Sequence, residues 1–226
     1  MTIQNLESLH SHQQSEEFNV QRKFFKVNKS PKFLHIGCGQ KHKQQTPFSQ
    51  TNWQEIRLDI NKDVQPDIVG SMTCLTAVNN ESVDAVFSSH NIEHLYAHEV
   101  PIALKEFRRV LKPNGFALIT CPDLQTVCQE VANNKLLDAL YISPGGPITP
   151  MDIIYGHRSS IHQGEEYMAH RCGFTATTLI NLLNQTGFTA LVMRRIKHFD
   201  LWAIASTNND KKWLREKAIE FFPEDI

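Results

Sequence analysis

The chain has 226 residues, of which 41% are hydrophobic and 21% charged, and its formal net charge is −1. That length suits one domain with a full core, and the near-neutral balance gives no basic field for nucleic acid. Five cysteines without a CxxC pair argue against a disulfide framework and for a reducing, cytoplasmic location; no apolar run approaches a membrane span, and the N-terminus has no signal-peptide pattern.

Residues 1–30 read as a polar N-terminal extension, with Phe18, Phe24, Phe25 and Val27 forming a short amphipathic stretch. From Pro31 the chain alternates buried strands with helices. Strand 33–36 runs into the turn Gly37-Cys38-Gly39, and strand 55–58 ends at Asp59, twenty residues after Gly39. A strand, a glycine turn and an acid at that distance form the layout of a nucleotide-binding Rossmann half, in which the carboxylate accepts hydrogen bonds from ribose hydroxyls. A dinucleotide fingerprint would place a third glycine at position 42, where His42 stands, so the spacing favours a nucleotide without a pyrophosphate, such as S-adenosylmethionine.

A helix turn is expected near 73–78, a strand over 83–87, an amphipathic helix over 99–111 and a strand over 116–120. Pro122 is read as opening a helix that runs to about Leu137. Residues 141–173, rich in Pro, Gly, His, Tyr and Arg, are expected to form a substrate lid. A helix over 175–187 follows, then strands over 189–196 and 200–206 whose short link requires antiparallel pairing. A helix near 210–221 within the last segment, 207–226, ends the chain. The expected fold is α/β: an open, mostly parallel seven-stranded sheet with helices on both faces and the last strand antiparallel.

Four stretches carry a family resemblance: His35-Ile36-Gly37-Cys38-Gly39, Leu58-Asp59, Val83 to Phe87 running into Ile92-Glu93-His94-Leu95, and Phe107 to Phe116, which contains Arg109-Val110-Leu111-Lys112-Pro113-Asn114-Gly115. Over about residues 31–206 the chain resembles the class I S-adenosylmethionine-dependent methyltransferases, specifically those with a type 11 methyltransferase domain. The resemblance implies that His35, Ile36, Gly37, Cys38 and Gly39 pass under the amino-acid part of the cofactor. It implies that Asp59 holds the ribose, that Ile60 lies against the adenine with Ser71 and Met72 at its edge, and that Ser89 and His90 line the methyl-donor side. The sequence departs from the pattern at Lys41, where a glycine is common, at Ser71, where an acid is usual, and in the short stretch between Asp59 and Asp67.

His90 and His170 are the expected catalytic bases, since histidine titrates near neutrality. Tyr155, His157, Arg158, His162 and Arg171 are the expected acceptor contacts; the two arginines suit a small anionic acceptor unless they pair with Glu165, Glu166 or Asp152. His90-Asn91-Ile92-Glu93-His94 matches H-x-x-E-H, but a zinc peptidase needs both histidines on one helix. Ubiquinone-pathway O-methyltransferases carry a similar cluster with glutamate first and hold a divalent cation there. His90 replaces that glutamate, so Glu93 and His94 are expected to fix the strand–helix junction by hydrogen bonds, with no metal. No membrane or nucleic-acid partner is expected, and a homodimer is compatible with the sequence. The rival readings are a non-catalytic partner subunit that keeps the fold and an NAD-binding oxidoreductase, the latter opposed by His42 and the terminal hairpin.

Overall fold

The computed structural model describes residues 30–196 and 199–223. The stretch at Phe18 to Val27 and the link residues Lys197 and His198 lie outside the described residues. The sheet is built from β1 (Lys32–Ile36), β2 (Gln54–Asp59), β3 (Ile68–Val69), β4 (Val83–Ser89) and β5 (Leu111–Pro122), with β8 (Ala190–Ile196) and β9 (Asp200–Ser206) completing it. The order is β3-β2-β1-β4-β5-β9-β8. The pairs β2–β3, β1–β2, β1–β4 and β4–β5 are parallel, whereas β9 runs antiparallel to both β5 and β8. Only β9 is reversed, which places its first residue, Asp200, beside Pro122 at the carboxyl ends of the parallel strands.

Side-chain alternation along β1 divides the core in two. Leu34 and Ile36 face helices α1 (Val100–Val110) and α5 (Ala176–Gln185), packing with Leu104, Phe107, Leu179 and Leu183. Phe33 joins the opposite face with Phe87, Phe116 and helix α6 (Lys211–Phe221). Between β1 and β2 a single 3-10 turn, Lys43–Gln45, takes the place of a helix. That connection covers the second face with aromatic rings: Phe48 stacks on Phe33 at 4.1 Å between centroids, and Trp53 meets Phe48 edge-on.

Three expectations change. Residues 73–78 form turns rather than a helix turn. Pro122 ends β5 instead of opening a helix; helix α2 (Leu124–Ala132) starts after Asp123, whose carboxylate caps it at Gln125 N, and ends at Asn133, with Asn134 in the left-handed region. The 141–173 segment is also more ordered than a loop. It holds the hairpin β6 (Tyr141–Ser143) and β7 (Gly146–Ile148), then helices α3 (Pro150–Tyr155) and α4 (Arg158–His162) and a 3-10 turn at Glu166–Met168. Among the described residues no helix is long and apolar enough to cross a membrane.

Candidate functional site

The glycine turn is held from three sides. Gly37 has φ 60° and Gly39 φ 51°, a region that favours glycine. A Cβ on Gly37 would collide with the amide of Asn91, which donates to the Ile36 and Ser89 carbonyls. A Cβ on Gly39 would meet nothing within 4 Å, so open space lies beside it. Asp59, 9% exposed, accepts from Gly39 N through one oxygen and from Asn61 N through the other, both at 2.8 Å. Each oxygen keeps a lone pair for an outside donor. Arg57, also buried, donates to the carbonyls of Gly39, Lys41, Val64 and Gln65.

Three expected cofactor contacts change character. His35 points into the second core face, against Phe87, and its Nδ1 lies 2.7 Å from Glu55. Burial holds its pKa below the ordinary value despite that carboxylate. Ile36 and Cys38 are buried as well, so His35, Ile36 and Cys38 can offer a ligand only main chain. Ile60, by contrast, is 54% exposed just past β2. Ser71 bonds Thr73 and Met72 packs against the core, while the Ser89 hydroxyl accepts from Thr120.

A cavity of about 170 Å³ opens at the ends of β4, β5 and β9. His90, His94, His157, His170, Asp152, Asp200 and Tyr141 line it. His90 has φ 53°, a strained value for a non-glycine residue. Its Nδ1 lies 3.5 Å from Glu93 and its Nε2 3.4 Å from Asp200. The 41% of the ring that is exposed faces this cavity. Desolvation opposes the cation, but the two carboxylates outweigh it and push the pKa up to about 10. With both nitrogens facing carboxylates and the ring protonated at neutral pH, His90 does not meet the requirement for a base. His170 is different: burial keeps its pKa below the ordinary value, and its Nδ1 lies 2.7 Å from the Ile153 carbonyl.

Residues 34–119 match the family model described as a methyltransferase domain. Residues 34–119 thus resemble a methyltransferase domain, and the fold is shared with S-adenosylmethionine-dependent methyltransferases of known structure. A protein from Pyrococcus horikoshii OT3 is 16% identical with a TM-score of 0.56, the alignment covering 88% of this chain and 90% of that one. A SAM-dependent methyltransferase from Archaeoglobus fulgidus is 15% identical with a TM-score of 0.51, covering 85% and 93%. The 1,6-didemethyltoxoflavin-N1-methyltransferase of Burkholderia thailandensis, solved with 1,6-didemethyltoxoflavin and S-adenosylhomocysteine, is 13% identical, with a TM-score of 0.51 and coverage of 79% and 72%. No curated protein sequence is similar enough to count as a relative.

Of the five expected acceptor contacts, only His157 lines the cavity. Tyr155 and His162 are exposed and do not line it. Arg158 is a strut: its Nε lies 2.8 Å from Asp152 Oδ1 and its Nη2 3.2 Å from Oδ2, so the fork is already filled. Arg171 lies over the Tyr96 ring at 4.9 Å. The junction reading of Glu93 also changes. Its side chain is 1% exposed, and neither carboxylate oxygen has a hydrogen-bond partner. His94 does bond, from Nδ1 to the Ala169 carbonyl at 3.1 Å. Asp200 and Tyr141 were not anticipated, because the β5–β9 register and the β6–β7 hairpin bring them to the cavity.

Proposed function

We propose that the methyltransferase moves a methyl group from S-adenosylmethionine to a small acceptor bound in the cavity at the ends of β4, β5 and β9. The observation that carries this reading is the placement of two features at the carboxyl ends of the parallel strands. One is the open space beside Gly39, after β1, with Asp59 at the end of β2 keeping lone pairs to spare; the other is the imidazole-ringed cavity lined by His90, after β4. In open α/β sheets ligands bind outside the carboxyl ends of the strands.

The residues fit the cofactor. Gly37 and Gly39 let main chain approach it closely, Asp59 takes the ribose hydroxyls, and exposed Ile60 offers an apolar surface to the adenine, with Ser71 and Met72 nearby in sequence. When bound, S-adenosylmethionine supplies an electrophilic methyl group on a sulfonium, so the protein's task is mainly alignment. His157, Tyr141 and Asp200 orient the acceptor, and its nucleophile is activated by the imidazoles of His94 and His170. The cavity lies below the usual range of roughly 300–1,000 Å³ for ligand sites, which favours a small acceptor. With Arg158 committed to Asp152, the arginine argument for an anionic acceptor falls away. We read the 141–173 segment as the wall of the acceptor cavity.

The experiment is calorimetric titration of the purified chain with S-adenosylhomocysteine and with NAD. Binding of the first alone is expected. Binding of NAD alone, or of neither, overturns the reading. Release of S-adenosylhomocysteine from S-adenosylmethionine when a small-molecule fraction is added then separates an enzyme from a partner subunit.

A further inference from the structure

Glu93, His94 and His170 raise a question that methyl transfer alone does not answer. Glu93 is fully buried, and among the described residues its carboxylate makes no hydrogen bond and meets His90, already shared with Asp200, at only 3.5 Å; native proteins seldom leave so weakly compensated a group unexplained. One ligand atom from each of these three residues lies within 4.8 Å of the other two. We propose that they form a binding site for a divalent first-row transition ion, with its open coordination positions turned to the acceptor cavity.

The chemistry of the donors supports an ion. The Nδ1 of His94 faces the Ala169 carbonyl and that of His170 the Ile153 carbonyl. A carbonyl only accepts, so each Nδ1 carries the proton and each Nε2 keeps its lone pair. Imidazoles held through the far nitrogen by a carbonyl are the usual outer-shell arrangement of metal-ligating histidines. Both rings also line the cavity. The set of two imidazoles and one carboxylate suits Zn²⁺ or Fe²⁺, and three protein ligands leave room for another group.

The backbone holds the two contributing segments together. Arg171 N and Cys172 N both donate to the Glu93 carbonyl, at 2.8 and 3.2 Å, and His170 N donates to the Tyr155 carbonyl. A Cβ on Gly156, which has φ 99°, would strike the Met168 carbonyl, so the 166–170 stretch packs tightly on α3. Ligand atoms around a tetrahedral ion at ~2.1 Å would stand ~3.4 Å apart. The cluster therefore closes by up to about 1.4 Å on binding, within the reach of side-chain rotation.

This set differs from the H-x-x-E-H pattern in the sequence. His90 turns toward Asp200, and the third ligand comes from position 170, 76 residues beyond His94. It also reverses the expectation that no metal binds. The use of the ion, though not its binding, rests on the methyltransferase reading. With the ion bound, the two imidazoles would serve as ligands rather than bases, and an acceptor hydroxyl on the open position would release its proton to solvent near neutral pH and present an oxyanion to the methyl group.

The test uses the full chain, stripped with a chelator and titrated calorimetrically with Zn²⁺ alone. One tight Zn²⁺ per chain is expected in the wild type. His170→Ala and Glu93→Gln are expected to weaken it at least about 100-fold. His98→Ala, at an exposed histidine outside the cluster, should leave it unchanged. Zn²⁺ should raise the melting temperature of the wild type and not of His170→Ala. Wild-type affinity no better than that of His170→Ala, or equal weakening by His98→Ala, overturns the site. If the cluster variants do not fold, Co²⁺ in the wild type decides. Intense d–d bands support nitrogen and carboxylate coordination at low coordination number, and weak bands like those of the hexaaqua ion overturn it. S-adenosylhomocysteine titrated into the same stripped protein keeps the two readings apart, since it reports the cofactor site whether or not Zn²⁺ binds.

Discussion

Arg57→Lys tests whether a single buried guanidinium replaces the helix absent between β1 and β2. Arg57 is 8% exposed and spans two loops: its Nη2 lies 2.7 Å from the Gly39 carbonyl and 3.2 Å from that of Val64, its Nη1 2.9 Å from Gln65, and its Nε 3.2 Å from Lys41. A hydrogen bond to a charged group contributes about 1.5–3 kcal/mol, but four do not sum, because Lys41 and Gln65 are exposed and water replaces the donor there. An ammonium on a flexible stem keeps one or two of the bonds and loses the planar fork. The expected loss of unfolding free energy is therefore about 2–4 kcal/mol. Freeing the Gly39 carbonyl also loosens the turn that faces the cofactor, so affinity for S-adenosylhomocysteine should fall by about tenfold, equivalent to ~1.4 kcal/mol. Urea unfolding followed by tryptophan fluorescence gives the first quantity and calorimetric titration the second. Lower stability with affinity unchanged within twofold would refute the link from Arg57 to the glycine turn, and no change in either would refute the network itself.

Four further outcomes are expected. Asp59→Ala should weaken S-adenosylhomocysteine binding by about 1–3 kcal/mol in the same titration, since the carboxylate is lost both to the ligand and to Gly39 N. Gly37→Ala, which forces a side chain into φ 60° against Asn91, should lower unfolding free energy by about 1–3 kcal/mol and reduce cofactor affinity. Asp152, although desolvated, is held well below the usual carboxylate range by Arg158 and Thr149. A depressed folded-state pKa means that its stabilisation is complete above the unfolded value of about 3.9 and is lost as pH falls below it. Thermal melts of Asp152→Asn should therefore fall below wild type at pH 7 and converge with it in acid, and Arg158→Ala should lower the melting temperature without changing cofactor affinity.

The cofactor half of the site was legible because its signals are local. The turn, Asp59 and the strand ends lie within about twenty-five residues of one another, and local backbone geometry decides what they do. The helix end was equally readable, since the helix stops at Val110, but the strand begins at Leu111 rather than at Phe116, with Gly115 inside it where a Cβ would crowd the Asp84 carbonyl. His35 was misplaced for a reason the sequence did contain. Strand alternation puts it on the face of Phe33, with its side chain away from the turn. The commitment of Arg158 was half visible as well, since Thr149 and Asp152 have the spacing of a capping box, which the structure forms. The acceptor half left no such trace. Asp200 reaches the cavity only through the β5–β9 register, and no spacing rule pairs position 93 with position 170.

The short stretch from Ser89 to His94 joins the two halves, and its composition reflects both. Asn91 holds the glycine turn through the Ile36 carbonyl, and His90 N bonds the Thr120 carbonyl at the end of β5. Glu93 receives the 171–172 backbone on its carbonyl while its carboxylate lies buried beside the cavity. A helix starting directly after β4 would use these same groups for its own hydrogen bonds. The chain instead strains His90 into the left-handed region and makes one 3-10 turn, which leaves the Asn91 amide against the glycine turn and the His94 ring at the cavity. The match to the methyltransferase family model ends at residue 119, so it spans the expected cofactor contacts and this turn but none of the groups that the 141–173 segment and β9 bring to the cavity. On the proposed function, acceptor choice would rest with residues outside the matched region, set against a turn that lies within it.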